Sequence, residues 1–241
     1  MAGVELDLGM RRRLSTGCDA LDIILGGGFR FGRISLIYGE ASTGKTTIAL
    51  SCIVNHLRGD PGARAFYIDA DRKLSTNRLM QIAGVDGDPL LERLLIWRPH
   101  SFSEQTEIIE RLPTLLTSGA KPVVVDSITG LYRLEAGDAE RTFTVNKELN
   151  WQLGVLSETA KTRDAAVLLV GQVHSIIGSE TPQVEPVAQR LLRYWSDTIL
   201  KLEMTQTAGV RQALLEEPDE NGRACRFSLG DRGLADVIRG W

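Results

Sequence analysis

Short apolar runs, each closed by a polar or glycine-rich break, recur along the first three quarters of the chain. Ile34–Tyr38 is such a run, stopped by Gly39, and it predicts a buried strand. The stretch from Lys45 to Arg58 predicts a helix, Ala65–Asp69 a strand ending on a carboxylate, Thr76–Ala83 a helix and Leu94–Trp97 a third strand. Ser101 and Glu104 have the spacing of a capping box; they open a helix expected to end near Gly119, kinked at Pro113. Val123–Asp126 is a fourth strand. Between Thr142 and Thr162, Val145, Leu149, Leu153, Leu156 and Ala160 recur at three- or four-residue spacing, the apolar face of a helix. Ala165–Gly171 is a fifth strand. The rhythm then changes: Asp197–Glu203, Arg211–Glu217 and Arg223–Leu229 read as strands, the last two joined by the turn cluster Pro218–Gly222. Alternating β/α units followed by antiparallel strands predict an α/β fold. Its sheet is mixed and mostly parallel, with helices on both faces and a C-terminal antiparallel extension. Residues 1–13 read as a flexible leader and 14–241 as one domain.

Composition narrows the function classes. A chain of 241 residues with 43% hydrophobic content can bury a full core. Its formal charge of -3 argues against a histone-like or membrane-coating protein, because the whole surface attracts neither phosphate nor anionic lipid. A local basic groove stays open. Cys18, Cys52 and Cys225 are far apart and form no CxxC pair, which points away from zinc or a disulfide framework and toward a reducing cytoplasm. Ala165–Val170, the longest apolar run, is far too short to span a membrane. Arg11, Arg12 and Arg13 have no apolar stretch behind them and read as a solvated leader.

The chemistry centres on Gly39-Glu40-Ala41-Ser42-Thr43-Gly44-Lys45-Thr46, a complete G-x-x-x-x-G-K-[ST] motif between a strand and a helix. Glycine lets backbone N–H groups approach phosphate oxygens, Lys45 reaches the β/γ-phosphates, and the Thr46 hydroxyl joins a Mg²⁺ shell. The helix start adds the positive end of its dipole. These eight residues and Thr47 are the expected ATP contacts. Three valines at 123–125 bury a strand whose tip, Asp126, is placed to hold the magnesium water shell.

Around these motifs the order of segments resembles the RecA/RadA recombinase family. Thr16-Gly17-Cys18-Asp19-Ala20-Leu21-Asp22 followed by Gly26-Gly27-Gly28 resembles its entry segment, Phe66–Asp71 its second strand, and Asp126–Arg133 its magnesium strand running into the first DNA-facing loop. Gly171-Gln172-Val173 resembles the strand end whose glutamine senses the γ-phosphate. The likeness covers residues 14 to 234 and is greatest to RadB, the archaeal paralogue family of RadA. It implies Mg-ATP binding with feeble hydrolysis, DNA binding, and an accessory role in DNA repair and homologous recombination beside a RadA-type recombinase or as a homo-oligomer. Residues with implied roles are Asp71, Lys45 and Gln172 in catalysis and Arg78 over the adenine.

The chain departs from the family pattern at several points. Asp71 stands where a catalytic glutamate is usual, one methylene shorter. Ala188-Gln189 replace the usual Gly-Gly of the second DNA loop, and acidic residues 216–220 occupy a segment that is basic in many relatives. Residues 1–13 contain no Phe-x-x-Ala tether.

Leu131–Arg141 and Ser175–Arg193 occupy the positions of the DNA-facing loops and offer Arg133, Arg141, Arg190 and Arg193 as phosphate contacts. Glu135, Asp138, Glu140, Glu180 and Glu185 in the same segments compete as internal partners. Tyr194 and Trp195 could stack bases, though at a loop-to-strand junction they are expected to pack in the core; Gln172 is expected to be satisfied only by ligand or water. His56, His100 and His174 show no metal spacing. The alternative reading is a KaiC-like signalling ATPase that binds a protein and not DNA.

Overall fold

A computed structural model of the chain describes residues 12–84, 87–116, 121–175, 184–218 and 222–237. The elements run β1 (Arg13–Leu14), α1 (Asp19–Leu25), β2 (Phe29–Arg30), β3 (Arg33–Gly39), α2 (Lys45–Gly59), β4 (Ala65–Asp69), α3 (Thr76–Ala83), α4 (Gly87–Leu91), β5 (Leu94–Trp97), α5 (Phe102–Leu115), β6 (Lys121–Asp126) and α6 (Gly130–Glu135). They continue as α7 (Ala139–Arg163), β7 (Ala165–Gly171), β8 (Val173–Ser175), β9 (Val184–Pro186), α8 (Gln189–Trp195), β10 (Thr198–Met204), β11 (Val210–Glu217), β12 (Ala224–Gly230) and β13 (Gly233–Asp236).

Nine strands form one sheet in the order β13-β12-β11-β10-β3-β7-β6-β4-β5. Pairs from β10 through β5 are parallel, and those from β10 to β13 are antiparallel. This is the mixed sheet the sequence predicts. The central strands are buried on both faces, and their alternate side chains feed two cores. In β7, Ala166, Leu168 and Val170 join the core under α1–α4, while Ala165, Val167 and Leu169 join the one under α5–α8. Strands β3, β7, β6, β4 and β5 end on the same edge, so Gly39, Gly171, Asp126 and Asp69 arrive together where an open α/β sheet binds ligands.

Several expectations need correction. Arg13, assigned to the leader, lies in β1 and donates to the carbonyls of Leu25 and Gly28, both at 3.1 Å. The capping box is only half formed: Ser101 Oγ accepts from Glu104 N, but the Glu104 carboxylate accepts from His100 N, one residue before the cap. Helix α5 ends at Leu115, with Pro113 in its last turn, and Gly119 lies outside the described residues. Most of the 218–222 turn cluster also lies outside them.

Candidate nucleotide site

The loop between β3 and α2 closes around left-handed backbone at Ser42 (φ 62°) and Gly44 (φ 102°), which turns successive N–H groups into one concavity. Gly39 is required at the strand end, because a β-carbon there would collide with the carbonyl oxygen of Leu202 on β10. Lys45 folds back so that Nζ donates to the carbonyls of Gly39 and Glu40, both at 2.7 Å. Burial holds its ammonium below the usual lysine pKa, with Asp126 and Asp71 opposing the shift. Thr43 is buried and donates to the Glu40 carbonyl, bracing the loop from within.

Asp126 faces this loop from the tip of β6. Its Oδ2 accepts from Thr46 Oγ1 and from Tyr67 OH, each at 2.6 Å. Burial raises the carboxyl pKa while those two bonds lower it. Tyr67, fully buried on β4, has its phenol pushed well above its ordinary range, first by burial and then by Asp126. The structure therefore joins Thr46 and Asp126, the two expected metal-shell residues, into one hydroxyl–carboxylate pair. Tyr67 was not anticipated; its only signal was its place two residues before Asp69 on the same strand face.

Asp71 sits past the end of β4 and is held from three sides. Its Oδ1 accepts from Ser127 Oγ (2.9 Å), its Oδ2 accepts from Gln172 Nε2 (2.8 Å), and Lys73 Nζ stands 3.8 Å away. Gln172 Oε1 accepts in turn from Arg133 Nη1 at 2.8 Å. The expectation that only ligand or water satisfies Gln172 is thus overturned: protein groups occupy both ends of its amide. Gly130 abuts this row so closely that a β-carbon would clash with Asp71 Oδ1. Gly130→Ala is expected to displace Asp71 from Ser127 and Gln172 and to destabilise the fold by about 1–3 kcal/mol. Urea unfolding of the variant checks the cost.

A cavity of about 370 Å³ brings together Lys45, Thr46, Asp126, Asp71, Lys73 and Gln172. Lys73 was not singled out from the sequence; its signal was a lysine two positions beyond Asp71. Its direction is set by Asp69, whose buried carboxylate accepts from Lys73 N, Leu74 N and Arg98 Nε and so fixes the turn after β4. Arg78 lies outside the cavity lining, on α3, and donates to the Asp231 carbonyl at 3.0 Å.

The candidate DNA residues separate. Arg141 pairs with Glu135 (2.6 Å) at the start of α7, and Arg193 pairs with Glu216 (2.6 Å), which also accepts from Tyr38 OH. These internal bonds compete with any phosphate contact. Arg133 is exposed on α6, tied to Gln172. Arg190 is exposed on α8 and has no side-chain partner among the described residues. The segments expected to be loops hold α6, the start of α7, β8, β9 and α8, and residues 176–183 lie outside the described set. Trp195 packs against the core and donates to Asn150, as expected. Tyr194 does not: it is 78% exposed.

The sheet, the loop at Gly39–Thr46 and Asp126 opposite Thr46 define a RecA-type P-loop fold. The family model described as Rad51 matches residues 11–237, and the chain belongs to the Rad51 family, within which it groups with RadB proteins. A "DNA repair and recombination protein RadB" of Methanococcoides burtonii is 33% identical, covering 93% of this chain and 98% of its own. The protein of the same description from Methanothermobacter thermautotrophicus is 36% identical, covering 96% and 97%. The solved structure titled "Crystal structure of the RadB recombinase" superposes with a TM-score of 0.78 at 33% identity, covering 93% of this chain and 100% of that one. The KaiC-like alternative is not favoured by these matches.

Proposed function

We propose that this chain is an ATP-binding, DNA-binding accessory protein of DNA repair and homologous recombination, with slow ATP hydrolysis. The observation that supports it most is the Rad51-family match along residues 11–237, laid over a complete phosphate loop. Lys45, now donating to two loop carbonyls, exchanges them for β/γ-phosphate oxygens, and the phosphate charge restores its pKa. Thr46 and Asp126 would hold Mg²⁺, which would supply charge neutralisation at the phosphates. Gln172 reads the terminal phosphate by leaving Asp71 or Arg133, which couples the nucleotide to α6. The protein works in the cytoplasm beside a RadA-type recombinase or as a homo-oligomer. No described helix is long and apolar enough to cross a membrane.

The test is single-stranded DNA binding with and without a non-hydrolysable ATP analogue at two salt concentrations. Affinity should fall steeply with salt, since phosphate contacts release counterions, and should depend on the nucleotide. Absence of DNA binding under all four conditions would instead favour an ATPase that recognises a protein. Arg190 is the cation best placed for phosphate. Arg190→Glu is expected to weaken DNA of any sequence about tenfold and flatten the salt slope by about one unit. Fluorescence anisotropy on two unrelated oligonucleotides checks both effects.

A further inference from the structure

Beyond the hydrogen-bonded row Arg133–Gln172–Asp71–Ser127 lies a second cavity, of about 570 Å³. It shares Asp71, Lys73, Arg133 and Gln172 with the nucleotide cavity, so the row is a party wall between the two. Arg72 and His100 line only the second one. Three basic side chains, Arg72, Lys73 and Arg133, face it against one carboxylate, Asp71. That local excess stands out in a chain whose net charge is -3.

The cations are aimed by the backbone. Arg72 adopts left-handed φ (55°), while Asp69 pins the N–H groups of Lys73 and Leu74. The resulting turn sends Arg72 to His100, with Nη1 2.6 Å from the ring Nδ1, and Lys73 to Asp71. All three cations are exposed, so an anion can reach them and leave again. Guanidinium groups offer paired donors to a tetrahedral oxyanion, and the lysine adds a mobile point charge.

We propose that this second cavity is a phosphate site, which receives the inorganic phosphate split from ATP next door while the diphosphate still fills the P-loop. The inference rests on the ATP reading of that loop. With Lys45, Thr46 and Asp126 engaged by the diphosphate and its metal, the nearest remaining cations are Lys73 and Arg133 on the party wall. Both also line the second cavity, where Arg72 adds a third cation.

The experiment is calorimetric titration of the Mg·ADP-loaded full chain with inorganic phosphate, for the wild type and for Arg72→Ala/His100→Ala. The wild type should bind phosphate with ADP present. The double variant should lose at least tenfold in phosphate affinity, keep its ADP affinity within twofold and keep its unfolding midpoint. Absent phosphate binding, or equal binding by the two proteins, overturns the proposal. A parallel titration with a single-stranded oligonucleotide separates the two sources of phosphate chemistry. If the double variant loses DNA affinity and no phosphate affinity, the cavity takes backbone phosphate instead, and the proposal falls. Lys45→Ala without nucleotide should still bind inorganic phosphate; loss of that binding would place the anion in the P-loop and overturn the second site. Unchanged ADP affinity in Lys45→Ala would overturn the ATP reading alone.

Discussion

Lys45→Ala is expected to lower ATP affinity at least a hundredfold, about 3 kcal/mol, with the fold intact. The ammonium is the cation that the loop's own geometry aims at a β/γ-phosphate, and it is partly desolvated, so its attraction to phosphate is less screened than on the surface. Asp126 and Asp71 add to the effect by their sign. With Lys45 gone, Asp126 and Asp71 still face the phosphates across the same cavity, with Lys73 and Arg133 the cations left in its lining. Stability should change little. The carbonyls of Gly39 and Glu40 that lose Lys45 lie at an open loop where water replaces the donor, a cost of about 1 kcal/mol at most. Calorimetry with ATP, beside thermal unfolding of the same variant, separates lost binding from lost structure. Wild-type affinity in Lys45→Ala would remove the P-loop assignment.

Those parts of the site built from contiguous residues were legible in the sequence. Gly39–Thr46 form one motif, and the strands that present Asp69 and Asp126 are buried on both faces, so their apolar runs are unbroken and their ends fall within one or two residues of expectation. What was illegible depends on the crossing of distant segments. Gln172 meets Asp71 and Arg133 across separations of 101 and 39 residues, so its satisfaction could not be judged from its own neighbourhood. Tyr67 and Ser127 have the same history, since each acquires its role from a carboxylate on another strand or loop. The helices α6 and α8 were missed for a different reason. With six and seven residues each, they are too short for a helical period to register, and α8 starts from Ala188 in left-handed backbone without a side-chain cap. Arg193 was an even choice between DNA and an internal partner until β11 brought Glu216 beside it.

Asp71→Glu is expected to speed hydrolysis in a single turnover about tenfold or more while ATP affinity stays within twofold. A group that orients the attacking water must come within roughly 2.6–3.2 Å of it. Asp71 ends one methylene short of the usual glutamate, and its carboxylate is held by Ser127 and Gln172 against the wall of the cavity. Misplacement of that order can cost about a hundredfold in rate. Gly130 packs closely against Asp71 Oδ1, where a β-carbon would clash. An added methylene has room on the other side, in the nucleotide cavity that Asp71 lines with Lys73, Lys45 and Asp126. Asp71→Asn removes the charge and keeps the length, so where little base assistance exists, little is lost. Rapid-quench measurement of one turnover in the wild type and both variants decides the matter. A fast wild-type reaction that disappears in Asp71→Asn would mean that Asp71 already reaches the water, and that ATP is consumed as fuel here and not held as a switch.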